Sequence, residues 1–249
     1  EAAAMKVMVL GGSGSIGSGV VPELLRAGHE VLAVSRSACG HPTLLQFVVC
    51  EAKNLGDPVA AAKVLLDAGA PVQEPLVAAA SVDARDMVHL LLAHGGRANI
   101  TDAWGPLDEA LYWRHQELAA VLRSAGAGVH SLRVAAALGD LEGLDGFWEQ
   151  GELHPSAGPI RSPFSDTVPE GMAGNPSQIV DNAFVAAAIC GQPGTAARLL
   201  ERGARIDAKP PGYHWKGTAL HGAVWRGDEA MVQWLIGHGA DPNITDDGV

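Results

Sequence analysis

Two apolar residues, two variable ones, a glycine and a small residue recur along this chain, and that phrase constrains its fold more than anything else in the sequence. It reads Leu65-Leu66-Asp67-Ala68-Gly69-Ala70, then Leu91-Leu92-Ala93-His94-Gly95-Gly96, Leu199-Leu200-Glu201-Arg202-Gly203-Ala204 and Leu235-Ile236-Gly237-His238-Gly239-Ala240. Val121 to Ala127 is a shifted copy, and Phe147 to Gly151 a degenerate one. Ahead of each lies a short small-apolar run, at 43–49, 75–80, 106–110, 132–136, 183–188 and 218–224. Such self-similarity marks stacked supersecondary units that cannot bury their apolar faces alone. Alanines on the first helix permit close stacking, the glycine ends the second helix in a left-handed conformation, and the apolar pair seals against the next unit. Six helix pairs are predicted.

Composition agrees with helices. The 249 residues include 41 alanines against 12 aromatics, and alanine favours helices over strands. Seventeen Lys+Arg against 28 Asp+Glu give a net charge of −11, a surface that repels phosphate backbones, so nucleic acid is not an expected partner. Cys39, Cys50 and Cys190 form no CxxC pair, which suits a reducing compartment and points to the cytoplasm. No apolar run approaches the roughly 20 residues that span a bilayer. Residues 1–4, ahead of Met5, read as a tag or upstream scar.

The units resemble ankyrin repeats over roughly residues 41–249. The last is the nearest in wording: Gly217-Thr218-Ala219-Leu220-His221-Gly222-Ala223, then Gly239-Ala240-Asp241-Pro242-Asn243, with Asp246-Asp247-Gly248 opening another turn. Anchor positions 45, 76, 107, 132, 184 and 220 are 31, 31, 25, 52 and 36 apart, scattered around the family's period of about 33. The proline-rich stretch 151–181 accounts for the interval of 52 and is predicted to be an inserted loop. The chain ends where a further repeat would begin with no polar capping helix, which reads as a fragment.

The resemblance implies a mainly α solenoid that binds another protein through its inner helices and hairpin tips. Aromatic anchors fall where that implies contact: Trp104 in one tip, Tyr112, Trp113 and His115 at the end of an inner helix, and Tyr213, His214 and Trp215 in another tip. Trp225 and Trp234 fall within the last unit's helices and are expected in the core. An acidic chain favours a partner with a basic face. His221 occupies the position of the family's tip histidine, where a local hydrogen bond outweighs metal ligation.

The N-terminus differs. Met5 to Ser37 reads as strand, glycine loop, helix and strand, with Gly11, Gly12, Gly14 and Gly17 satisfying both GxGxxG and GxxGxxG. Glycines there let backbone N–H groups approach a pyrophosphate at a helix N-terminus. Residues 5–38 resemble the opening of an extended or atypical short-chain dehydrogenase/reductase, a partial Rossmann βαβ unit. The resemblance implies a cofactor site at Gly11, Gly12, Gly14, Ser15, Ile16, Gly17 and Arg36, with Arg36 favouring NADP over NAD.

Beyond Ser37 strands and helices no longer alternate, so the nicotinamide half lacks sequence to build it. The family's Tyr-x-x-x-Lys pair is missing: Tyr112 has Gln116 at i+4, and Tyr213 has Gly217. No Gly-x-Ser-x-Gly elbow and no metal-ligand spacing occur, so no catalytic residue is assigned. Two readings stand: a protein-binding ankyrin module, or a nucleotide-responsive protein in which a remnant or partial reductase is fused to repeats.

Overall fold

A computed structural model describes residues 6–10, 30–34, 44–50, 56–163 and 168–247. The cofactor positions Gly11, Gly12, Gly14, Ser15, Ile16, Gly17 and Arg36 lie outside the described residues. The chain divides into two compact units, 1–96 and 97–249.

In the first unit, strands β1 (Lys6–Leu10) and β2 (Glu30–Val34) pair in parallel, Lys6 opposite Glu30 through Leu10 opposite Val34. Four helices come next: α1 (Leu44–Cys50), α2 (Pro58–Asp67), α3 (Gln73–Ser81) and α4 (Arg85–Ala93). They stack as two pairs, with α1 on α3 and α2 on α4. The start of α2 is set by its sequence. Asp57 accepts the Ala60 N–H at 2.9 Å and Pro58 takes the first helical position, where a missing N–H costs nothing. Leu45, Val49, Ala62, Leu76, Val88 and Leu91 form the buried seam.

The second unit holds four more pairs: α5 (Pro106–Tyr112) with α6 (Gln116–Ser124), α7 (Leu132–Leu138) with α8 (Leu141–Asp145), α9 (Pro176–Ile189) with α10 (Pro193–Glu201), and α11 (Ala219–Trp225) with α12 (Glu229–Gly237). Inner helices α7, α9 and α11 lie side by side, and α8 meets α10 outside them. Alanines make this approach close: Ala135, Ala136, Ala183, Ala187, Ala219 and Ala223 are all buried. Ser131, Asn175 and Asp228 cap α7, α9 and α12 through side-chain oxygens on backbone N–H groups. On the outer face Asp145 accepts from both Arg198 and Arg202, and the Arg202 guanidinium lies 5.0 Å over the Trp148 ring.

The repeated phrase does what its glycine predicts. Gly69, Gly95, Gly126, Gly203 and Gly239 all adopt positive φ, between 85° and 96°, at the ends of second helices.

Three features depart from the sequence expectation. The stretch 151–181 is not a loop throughout. It contains strand β4 (Glu152–Leu153) of a small antiparallel hairpin with β3 (Trp148–Glu149), a 3-10 turn at Pro155–Ala157, and the first two turns of α9. The Asn175-Pro176 step starts that helix inside the proline-rich segment, because Asn caps and Pro is tolerated only in the first turn. Phe147 to Gly151, read as a degenerate helix end, leads into this hairpin instead.

Second, contact is not confined to sequence neighbours. The end of α5 meets the ends of α9 and α11: Cys190 donates to the Leu111 carbonyl at 3.2 Å, and Arg226 donates to the Tyr112 carbonyl. Every residue of α5 is buried, as befits a helix enclosed on all sides. Third, Trp225, expected in the core, is 47% exposed. It is the last residue of α11. Trp234 is half-buried, stacked on His238 with centroids 3.9 Å apart.

Candidate protein-binding site

The aromatic residues singled out in the sequence converge in the second unit. Tyr112, closing α5, and Tyr213, in the tip before α11, stack with ring centroids 6.0 Å apart. Trp104 and Trp113 approach Tyr112 edge-on at 5.8 and 5.3 Å. Trp215 lies 4.9 Å from Tyr213, and Trp225 caps the group at 5.2 Å from both His214 and Trp215. Each such pair adds about 0.5–1.5 kcal/mol beyond its area burial, so the cluster fixes two tips against the helix ends.

Its polar atoms are mostly matched. Both indole N–H groups of Trp104 and Trp113 donate to the Glu109 carboxylate. The Tyr213 hydroxyl donates to the Asn182 carbonyl at 2.8 Å, and the Tyr112 hydroxyl lies 2.7 Å from His214 Nδ1. Burial pushes the Tyr112 phenol up to about 12, so it stays protonated beside the imidazole. Burial, together with the neighbouring Arg226 guanidinium, holds His214 below its usual range and keeps the ring neutral. Arg226 itself lies 4.2 Å over Trp225 and 5.8 Å over Trp113, a cation-π bridge between two helix ends.

Beneath the cluster sits a buried ion pair. Arg133 Nη2 lies 2.5 Å from Asp108 Oδ1, and His130 Nε2 lies 3.2 Å from Asp108 Oδ2. Burial alone would raise the Asp108 carboxyl; the Arg133 guanidinium and His130 outweigh it and hold the group below the ordinary carboxylate range. Glu109 goes the other way, since its burial outweighs its indole donors and raises it. The Arg133 guanidinium also lies 4.4 Å over the Trp104 ring.

Trp225 lines a groove of about 480 Å³ along α11 and α12. Trp215, Leu220, His221, Val224, Trp225, Val232 and Ile236 line it, with Asp241, Pro242, Ile244 and Asp246 from the final turn. Val224 is 60% exposed and Ile236 48%.

The structure thus brings together six of the seven predicted contact residues: Trp104, Tyr112, Trp113, Tyr213, His214 and Trp215. Tyr112 and Tyr213 are each only 2% exposed, so their rings serve the interior, not an outer contact. Their stacking and hydroxyl bonds explain why the tips enclose them. Trp104, Trp113, His115, His214 and Trp215 are half-buried. His221 accepts the Thr218 N–H at 3.1 Å, the expected local bond. Sequence reading missed the groove, since Val224 and Ile236 look like ordinary helix-pair apolar positions and no local signal sets them apart.

Paired helices ending in left-handed glycines define a helical-repeat protein. The Ankyrin repeat family model matches residues 217–247, so the last pair is an ankyrin repeat. The model of the NAD dependent epimerase/dehydratase family matches residues 7–93, well past the second strand, although 44–50 and 58–93 hold helix pairs in this structure.

Among curated proteins the chain is 49% identical over 49 residues to "Probable E3 ubiquitin-protein ligase XBOS34" of Oryza sativa subsp. japonica, a stretch covering 20% of this chain and 9% of that protein. It is 44% identical over 52 residues to "Putative E3 ubiquitin-protein ligase XBAT35" of Arabidopsis thaliana, covering 21% and 11%. It is 42% identical over 67 residues to "Ankyrin repeat and SOCS box protein 6" of Mus musculus, covering 27% and 16%. The matches thus span less than a fifth of each relative. The human ASB11 ankyrin repeat domain, a solved crystal structure, aligns over 83% of this chain and 88% of its own at 17% identity, with a TM-score of 0.38. At that score the overlay adds nothing to the repeat assignment.

Proposed function

We propose that residues 97–247 bind a partner protein through their inner-helix ends and hairpin tips, with no chemistry of their own. The convergence of half-buried Trp104, Trp113, His214 and Trp215 around one buried tyrosine stack supports this reading most. Rigid, already ordered aromatics lose little entropy on binding and make strong anchors. The ankyrin repeat at 217–247 adds support, as does a net charge of −11 that suits a partner with a basic face.

The test uses two exposed tip positions outside the core, Asp102 and Ala103. Asp102→Lys and Ala103→Arg set cations against a basic-faced partner without touching a buried ring. The reading expects the pair of changes to lower recovery of a captured partner at least tenfold with an unchanged melting temperature. Equal recovery by wild type and variant contradicts it.

A second reading, NADP binding at the N-terminal glycine loop, draws support for a dinucleotide from the match at 7–93 and for the 2′-phosphate from Arg36 in the sequence. Strands β1 and β2 have the parallel pairing that such a site starts from, but among the described residues no third strand joins them. They do not make up a complete dinucleotide site, and no reaction step is assigned to one. If NADPH at up to about 1 mM shifts neither melting nor tryptophan emission, this reading is lost. A shift abolished by Gly14→Val supports it.

A further inference from the structure

At the ends of α5 and α11 two guanidiniums have one carboxylate between them. Arg114, just past α5, pairs with Asp228 Oδ2 at 2.7 Å, and the other oxygen of Asp228 accepts the Met231 N–H at 3.0 Å as the cap of α12. Both oxygens are thereby spent. Arg226, just past α11, donates to the Tyr112 carbonyl and lies over the Trp225 and Trp113 rings, all of them neutral partners. Its buried Nε–H meets no acceptor, and among the described residues no carboxylate pairs with it.

Charge tells the same story as the hydrogen bonds. Burial first, and the Arg114 charge after it, hold the Arg226 guanidinium below its usual range, as befits a cation that lacks an anion. Arginine stays charged at neutral pH all the same. Arg114 and Arg226 are half-buried, so the spot is reached from solvent yet screened less than an open surface. A guanidinium so placed takes a carboxylate through paired N–H donors. In a chain of net charge −11 this is a local reversal of sign.

We propose that Arg114 and Arg226 form an anion-accepting spot that takes one aspartate or glutamate carboxylate of the partner protein. The inference deepens the protein-binding reading above and rests on it. It adds a requirement to the basic face that the net charge favours: that face carries an acidic residue where it meets the ends of α5 and α11. A uniformly basic surface sets like charges together here and is rejected, which supplies selectivity.

The probe is N-acetylglutamic acid α-amide, with N-acetylglutamine amide as its neutral match, titrated into the full chain while the arginine Nε–H signals are followed by NMR. A saturable shift of the Arg226 signal is expected with the glutamic acid compound, and none with the glutamine compound or with equal sodium chloride. Asp228→Asn removes the competing carboxylate but keeps the helix cap, since asparagine caps as well as aspartate; it is expected to tighten the probe at least threefold. Arg114→Gln leaves Asp228 to Arg226 and is expected to weaken the probe at least threefold. A cluster with a structural role alone predicts no tightening in Asp228→Asn. Equal shifts from both compounds, no saturable shift, or unchanged affinity in Asp228→Asn overturns the proposal. So does saturation by inorganic phosphate with no response to the glutamic acid compound, which assigns the spot to a phosphate. Failure here with the Asp102 and Ala103 effects intact removes only this spot; loss of both removes protein binding itself.

Discussion

Tyr112 and Tyr213 lie ring to ring, 6.0 Å apart and 14° from parallel, joining the end of the unit's first inner helix to the tip before its last. The hydroxyl of Tyr213 closes the arrangement on the Asn182 carbonyl of α9. Three inner helices are thereby tied through one pair of rings. Tyr213→Phe removes this extra donor from a carbonyl that keeps its helical bond and is expected to cost about 0.5–1.5 kcal/mol in urea denaturation. Tyr213→Ala, which also empties the ring's volume, is expected to cost about 3–5 kcal/mol. Equal stability of both variants and wild type would show that the tip is not packed as described.

The buried Asp108–Arg133 pair is expected to be stringent in one direction only. Arg133→Met strands a buried carboxylate and should cost about 3–5 kcal/mol, whereas adding Asp108→Leu to it should recover most of the loss. The folded pKa of Asp108 is lowered, so its contribution is present above its unfolded value of about 3.9 and lost as pH falls through the lower folded value. Asp108→Asn should therefore flatten the acid limb of stability against pH while lowering stability at neutrality. A double variant no better than Arg133→Met contradicts the pairing.

His214 should titrate below the ordinary imidazole value of about 6.5, chiefly through burial and secondarily through Arg226. A lowered folded pKa means that its stabilising contribution is present above the unfolded value and is lost as pH falls through the folded one. NMR titration of the ring reads this directly. Arg226→Leu should move the midpoint part of the way back; a wild-type midpoint at or above the ordinary value contradicts the packing around Trp225.

Gly191 holds φ at +67°, and a Cβ there would sit 2.8 Å from both Arg114 Nη2 and Asp228 Oδ2, themselves an ion pair at 2.7 Å. Gly191→Ala should cost about 1–3 kcal/mol by strain and by displacing that pair. Gly227→Ala has positive φ of 65° but open space around it, and should cost less. The two variants compared by thermal melting separate backbone strain from crowding; equal losses would show that the ion pair gives way freely.

The helix pairs were legible because their causes are local. A left-handed glycine after an apolar pair fixes a helix end wherever it occurs, and Gly69, Gly95, Gly126, Gly203 and Gly239 all comply. The caps at Asp57 and Asp228 are equally local. Contacts between distant segments left no such trace. That α5 reaches α9 and α11 depends on how the long α9 lies, and α9 was hidden by the prolines around its start. The aromatic residues that the sequence singles out, His115 apart, lie together, but their exposures were not legible. Tyr112 looks like a helix-end contact residue until its hydroxyl and ring find partners in the tip before α11, while Trp225 looks like core although it is the last residue of its helix and 47% exposed.

The measurement that bears most directly on the central claim is photo-crosslinking from single benzoylphenylalanine residues in the full chain. Placed at Ala103, in the tip beside Trp104, the label is predicted to capture the partner; placed at Ala120, exposed on the second helix α6, it is predicted to capture little. Capture from Ala120 and none from Ala103 would contradict an account in which the tips and inner-helix ends make the contact.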